Sequence, residues 1–331
     1  MKHSRLKVAS AALAAAIACC TPGAVAQPAD KFPTRPVRMI VPYAPGGATD
    51  IVARQLAQRL SEHWGYQVVV DNRAGGSGAI ALETVARATP DGYTLMVGNV
   101  STNAIAETAF AKTLSIKPSR DLAAVTNLIE IPHMFMTSAA VPVTNLKQLV
   151  EYAKTAPRMA YASAGIASYP HLDVARLLKA LGIEMTHIPY KGGAGQIIPA
   201  MIGNETQFTM LNLASSLPHL RAGRMKPLAT TWPTRRAEFP DVPTMMESGY
   251  AGIGTNAWNG LFAPAKMPPA LLAQIHAAAL KVMESQEMKD ALGKQLIYVV
   301  TSKTPADYAK FVVEDVAKWA TVIRDNNISL D

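Results

Sequence analysis

The chain has 331 residues, more than one hydrophobic core usually spans, so two domains are expected. Its formal charge is +8, but Lys and Arg are scattered without a run of five or six like charges. That excludes a nucleic-acid surface and leaves a mild attraction for anions.

The first 26 residues have the layout of an export signal. Lys2, Arg5 and Lys7 make a positive start, Val8 to Cys20 is a thirteen-residue apolar run, and Ala24-Val25-Ala26 offers small residues to a signal peptidase. A membrane span needs roughly 20 apolar residues, so the run is too short for an anchor. A lipoprotein acylated at Cys19 or Cys20 is the competing reading, and Ala16-Ile17-Ala18-Cys19 fits its motif poorly. Cleavage after Ala26 and a periplasmic location are expected. Cleavage would remove three positive charges, no acid and both cysteines, leaving +5 and no thiol.

From there, elements alternate. Residues 37–42 predict a strand, and a helix begins near Thr49-Asp50 with Val52, Leu56 and Leu60 on one face. Strands at 67–70 and 93–97 flank a helix at 79–88, and 124–137 is extended but interrupted at Pro132. Helices are predicted at 146–153, 171–181, 195–202 and 216–222, with strands at 159–162, 184–189, 206–211 and 225–232. The C-terminal part predicts helices at 268–280 and 286–293, a strand at 296–300 and a last helix at 305–326. Alternation of this kind predicts an α/β fold with largely parallel sheets flanked by helices.

Strand ends run into small-residue loops that open helices at Ala44–Asp50, Gly98–Asn103, Ser163–Ser168 and Pro189–Gly195. In open α/β sheets, ligands sit at the carboxyl ends of strands. Helix starts there offer unpaired N–H groups and the positive end of a dipole, which suits a carboxylate. Ordinary turn-shaping glycines and caps explain any single loop better, and it is four of them in one chain that point to a lined cleft. The candidate ligand-binding residues are Tyr43, Ala44, Pro45, Gly46, Gly47, Thr49 and Asp50 in the first loop, and Ser101 in the second. Ser163, Ala164, Gly165, Ser168 and His171 follow in the third, Tyr190, Lys191, Gly192 and Gly193 in the fourth, and Asn212 beyond it. Asp50 also reads as a structural cap, His171 as a helix-end packing group, and Lys191 as a solvated lysine. Tyr43 and Trp258 either wall the pocket or pack in the core.

Catalytic and cofactor patterns are thin. Ala44-Pro45-Gly46-Gly47-Ala48-Thr49 lacks the G-x-G-x-x-G spacing, and no G-K-[ST] or G-x-S-x-G occurs. His63, His133, His171, His187, His219 and His276 show no H-x-x-x-H pairing. The chain is therefore read as a non-enzyme without metal or cofactor. An exported hydrolase or isomerase on the same lobes would need an acid–base pair that no motif supplies.

An ordered series of motifs resembles the Bug-type substrate-binding proteins of tripartite tricarboxylate transporters. It includes Val41-Pro42-Tyr43-Ala44-Pro45-Gly46-Gly47, Val70-Asp71-Asn72-Arg73, Pro90-Asp91-Gly92-Tyr93-Thr94-Leu95 and Tyr161-Ala162-Ser163-Ala164-Gly165. Ile188-Pro189-Tyr190-Lys191-Gly192, Pro240-Asp241-Val242-Pro243-Thr244 and Trp258-Asn259-Gly260-Leu261-Phe262-Ala263-Pro264 continue it, and the likeness covers nearly all of the chain after the leader.

The resemblance implies a two-lobe periplasmic binding fold, with residues 27–128 and 229–331 in one lobe and 129–228 in the other, hinged around the ligand. It implies a small di-, tri- or aromatic carboxylate as ligand and membrane transporter subunits as partners, with the receptor acting as a monomer. One carboxylate would meet the loop from Tyr43 to Thr49, and another polar group the loops at Ser163–Ser168 and Tyr190–Gly193. A sensor that presents its ligand to a membrane receptor is the alternative on the same fold. Ile166 and Ala167 make the third loop less polar than in many relatives, and Leu211 stands where relatives often carry aspartate. A site poor in partners for an ammonium group, and tolerant of an apolar body, is expected from that.

Overall fold

The computed structural model describes residues 32–156, 158–190 and 192–326. The expected leader and Lys191 lie outside the described residues. In the first stretch, β1 (Val37–Val41), α1 (Ala48–Trp64), β2 (Val68–Asn72), α2 (Ala79–Ala86) and β3 (Thr94–Asn99) alternate as the sequence predicts. A π-helical turn over Ser101–Ile105 continues into the short α3 (Ala106–Ala109), then α4 (Pro118–Asp121) and β4 (Leu122–Ile131). The next stretch holds β5 (His133–Ser138), α5 (Leu146–Thr155), β6 (Ala160–Ser163), α6 (Tyr169–Leu181) and β7 (Thr186–Pro189). It continues with α7 (Ala194–Ile202), β8 (Phe208–Asn212), α8 (Leu213–Arg221) and β9 (Met225–Thr230). The chain ends with β10 (Ala257–Pro264), α9 (Pro269–Met283), α10 (Gln286–Gly293), β11 (Tyr298–Val299) and α11 (Pro305–Asn326).

These strands form two sheets, one in the order β11-β4-β10-β3-β1-β2 and one in the order β7-β6-β8-β5-β9. Each is parallel on one side, where crossover helices separate β1, β2 and β3, or β6, β7 and β8. The other side of each is antiparallel, because β4 and β10, or β5 and β9, carry the chain out of one sheet and into the other. The first transfer falls at Pro132, between β4 and β5. Proline lacks the N–H that would continue a ladder, so the interruption seen in the sequence is a change of sheet.

On α1, Val52, Leu56 and Leu60 are wholly buried, while Arg54 turns outward and pairs with Asp50 at 2.9 Å. That is the one-faced pattern the four-residue spacing predicts.

Strand β10 is absent from the sequence-derived elements, although it lies between β3 and β4 and every residue in it is buried. With both faces covered it shows no alternation, and Asn259, Gly260 and Pro264 have poor strand propensity. Gly260 is dictated by packing: a Cβ there would lie 1.7 Å from the Tyr308 hydroxyl on α11. Trp258 shares that face. Its ring meets Tyr308 edge-on at 6.0 Å, and its Nε1–H donates to Asp315 at 2.9 Å. Trp258 is therefore a core residue against α11, and the pocket-wall alternative does not hold for it. No helix among the described residues is long and apolar enough to cross a membrane.

Candidate functional site

A cleft lies where the carboxyl ends of β1 and β3 face those of β6, β7 and β8. Its empty space is about 560 Å³, the open mouth included. From the candidate set, the cleft brings together Tyr43, Gly47, Thr49, Ser101, Ala164, Gly192, Gly193 and Asn212.

Two helix starts reach this cleft without a side-chain cap. Helix α1 begins after Gly47, whose backbone is extended and whose carbonyl takes the Ile51 N–H at 3.0 Å. Its first turn, Ala48 to Asp50, is left outside the i→i−4 ladder. Helix α7 begins after Gly193, whose carbonyl takes the N–H of both Gln196 and Ile197, and it too has no side-chain cap. The two starts come from different sheets and abut. A Cβ built on Gly195 would lie 3.3 Å from the Pro45 carbonyl, and one on Gly193 3.9 Å from the Tyr43 ring.

The helix starts at Ser101, Ser168 and Asn212 are occupied by the protein's own groups, against the expectation of free donors there. Ser168 caps α6 through the His171 N–H, and the Tyr169 N–H donates to Ser101 Oγ at 3.1 Å. Asn99 Oδ1 takes the N–H groups of Ser101 and Thr102 at 3.0 and 3.3 Å. Asn212 caps α8 through the Ser215 N–H at 2.8 Å.

Several candidates sit behind the wall instead of on it. The Asp50 carboxylate, 3 % exposed, accepts from Gly46 N–H (3.0 Å), Asn72 Nδ2 (2.9 Å) and Arg54 Nε (2.9 Å). Burial raises its pKa, but these donors outweigh burial and hold it below the usual carboxylate range. Asp50 thus fastens the first loop and is no ligand contact, while Ala44, Pro45 and Gly46 form the outer part of that loop, away from the cleft lining. His171 stacks on His187 with ring centroids 4.0 Å apart, and its Nδ1 accepts the Ala167 N–H at 3.1 Å. Burial, then the neighbouring His187, brings its pKa down to about 3, so it braces the third loop as a neutral ring. Ser163 bonds His187 Nε2 at 2.6 Å and the Gly165 carbonyl at 3.0 Å, which keeps it and Gly165 inside that brace. Ser168 lines not this cleft but a smaller neighbouring space, beside Ser77, Phe110 and Ile166. Tyr190 serves through its backbone, donating to the Ser163 carbonyl at 2.9 Å.

The cleft also holds polar residues absent from the candidate set. Asn99 joins Tyr43 and Thr49, accepting the Tyr43 O–H at 3.1 Å and donating to Thr49 Oγ1 at 3.4 Å. His133 is fully buried; its Nδ1 faces the Ile131 carbonyl at 3.0 Å and its Nε2 meets the Tyr169 hydroxyl at 2.5 Å. A carbonyl can only accept, so Nδ1 carries the ring proton and Nε2 accepts from Tyr169. Burial lowers the His133 pKa to about 3 and raises the Tyr43 and Tyr169 phenols. Asn259 completes the polar set, and Ile131, Leu211 and Ala257 supply an apolar wall. The signal for His133 in the sequence was its place directly after Pro132; Asn259 lay inside the motif Trp258–Pro264 without being singled out, and Tyr169 gave none.

Two α/β lobes joined by a chain that changes sheet twice, with a cleft between their strand ends, define the two-lobe fold of periplasmic binding proteins. The family model described as "Tripartite tricarboxylate transporter family receptor" matches residues 52–328, and the chain belongs to that family. It is similar to protein BugT of Bordetella pertussis, 30% identical over 91% of this chain and 92% of that one. Among solved structures it is similar to Rpa4515 of R. palustris with adipate, 30% identical, TM-score 0.84, over 90% of this chain and 99% of that one. It is also similar to MatC from Rhodopseudomonas palustris with bound malate, 29% identical, TM-score 0.82, over 88% and 100%.

Proposed function

We propose that the chain is an exported periplasmic receptor that closes its lobes on a small organic carboxylate. It then hands the acid to the membrane subunits of a tripartite tricarboxylate transporter, acting as a monomer without chemistry of its own. The observation that carries this reading is the meeting of two uncapped helix starts, α1 and α7, from different sheets on one cleft. Among the described residues, the lining holds no Lys, Arg, Asp or Glu. An anion there is held by main-chain N–H groups and two helix dipoles, with Thr49, Ser101 and Tyr43 hydroxyls beside them. Adipate in one similar structure and malate in another support a carboxylate.

The two lobes meet at Pro132 and within residues 231–256, where the chain passes between sheets. Gly193 of one lobe already stands against Tyr43 of the other, a Cβ built on it lying 3.9 Å from that ring, so those connections are where the lobes would part to admit a ligand. Leu211 on the wall, with no acid facing it among the described residues, leaves an α-ammonium without a partner. Amino acids are therefore poor ligands, and carboxylates with an apolar body are accepted.

A thermal-shift panel of mono-, di-, tri- and aromatic carboxylates, with aspartate and glutamate included, tests both points. A ligand at a hundred times its Kd adds roughly 2.7 kcal/mol to the apparent stability. A panel in which no carboxylate raises Tm refutes the carboxylate reading, and tighter binding of aspartate than of apolar acids refutes the ammonium argument.

A further inference from the structure

We propose that the Asn259 side-chain amide reads a second oxygen-bearing group on the ligand, so that the site selects diacids over monoacids of the same skeleton. The inference rests on the reading that a first carboxylate sits at the α1 and α7 starts. Strand β10 alternates its faces. Trp258 and Gly260 press on α11, while Ala257 and Asn259 turn to the cleft. Asn259 is 2 % exposed, and its Nδ2 has no hydrogen-bond partner. A buried donor left unpaired is costly, and one on a residue that lines a binding cleft gains a partner when an oxygen-bearing ligand enters.

The neighbouring amide makes the contrast. Asn99 lies directly opposite Asn259 in the β3–β10 ladder. Its Oδ1 takes Tyr43 O–H, Ser101 N–H and Thr102 N–H, and its Nδ2 gives to Thr49. Of two adjacent amides, one is consumed in holding the helix-start loop and the other is free. Strand β10 stands two places from β1 in the sheet, about 10 Å away at the usual strand spacing. Asn259 is thus displaced from the α1 start by a distance a short diacid can bridge, with Ile131 and Leu211 flanking the carbon body. A neutral amide donor takes carboxylate oxygen without needing a counter-charge, and it offers a monoacid nothing.

The test is calorimetry on the full chain with three matched pairs: succinate and butyrate, adipate and hexanoate, terephthalate and benzoate. In the wild type, the diacid of each pair that binds is expected to be tighter by about tenfold or more, the usual range for a hydrogen bond to a charged group. In Asn259→Ala that gap closes, with the monoacid unchanged within about twofold and the unliganded Tm preserved, since Nδ2 makes no internal bond. Asn259→Asp, of the same shape, keeps the proposal testable should alanine disturb β10; it must reject the diacid far more than the monoacid. Equal loss of both acids in these variants, or a wild-type monoacid as tight as its diacid, overturns the assignment of Asn259 alone. Binding of none of the six acids overturns the carboxylate reading beneath it.

Discussion

Replacing Gly47 by aspartate should raise the stability of the free protein while abolishing binding, because the new carboxylate would take the donors meant for the ligand. The position tolerates a side chain. Its φ is −81°, and a Cβ built there meets nothing within 4 Å. Aspartate is a strong N-cap, worth a few tenths of a kcal/mol over glycine, and its charge adds about 0.3–1 kcal/mol against the helix dipole. In a chain of this size that is a Tm increase of about 1–3 °C. For an anionic ligand, each charge-assisted hydrogen bond lost costs about 1.5–3 kcal/mol, and two carboxylates ~4 Å apart repel by ~4 kcal/mol at an effective dielectric of 20. Together these predict at least a thousandfold loss of affinity. Gly47→Ser, a cap without charge, should lose only about tenfold. Calorimetry paired with thermal melts checks both signs. Wild-type affinity in Gly47→Asp refutes the placement of the anion, and a fall in Tm would mean that the loop is damaged instead of occupied.

Two further outcomes concern stability. His133, His171 and His187 have pKa values lowered by burial to about 3, about 3 and about 4, against about 6.5 when unfolded. A depressed folded pKa means stability that is complete above about pH 6.5 and lost as pH falls toward those values, because the unfolded chain then binds the extra protons. The urea midpoint should decline between pH 6.5 and 4, less steeply in His171→Asn, which keeps an acceptor for Ala167; a midpoint flat across that range refutes the neutral stack. Gly260→Ala forces a methyl onto Tyr308 and should cost about 1–3 kcal/mol of unfolding free energy by urea titration, with an unchanged midpoint counting against the packing of β10 on α11.

Most of the fold was legible because its elements obey local rules. The α1 stripe of Val52, Leu56 and Leu60, the helix at Gln286–Gly293 and the last helix at Pro305–Asn326 follow from periodicity and caps. Strand β10 was not legible, since its identity comes from neighbours on both faces and its Gly260 from the far side of α11. The motif series ran straight through residues 258–264 without marking them as a strand. The site divides in the same way. Loops that follow strands were found, whereas His133 and Asn259 reach the cleft only through the change of sheet at Pro132 and the insertion of β10, and Tyr169 stands one residue past the third loop at the start of α6.

The sequence nevertheless held a finer signal than loop position. Four small-residue loops looked alike as anion sites, yet in the structure they differ in whether the protein answers its own donors. Ser168 and Asn212 bring an oxygen to their helix starts, and Asn99 does the same for the turn at Ser101. Gly47 and Gly193 cannot, having no side chain, and theirs are the starts that face each other across the cleft. A serine or asparagine cap stabilises a helix by about 1 kcal/mol over alanine but only by a few tenths over glycine, so leaving it out at both positions gives up a little stability in the free protein. On the function proposed above, the ligand restores it only when the lobes are closed, because one start lies on each lobe. An anion bridging them therefore favours the closed state over the open one, and that difference in affinity is what a receptor needs to signal occupancy to a partner.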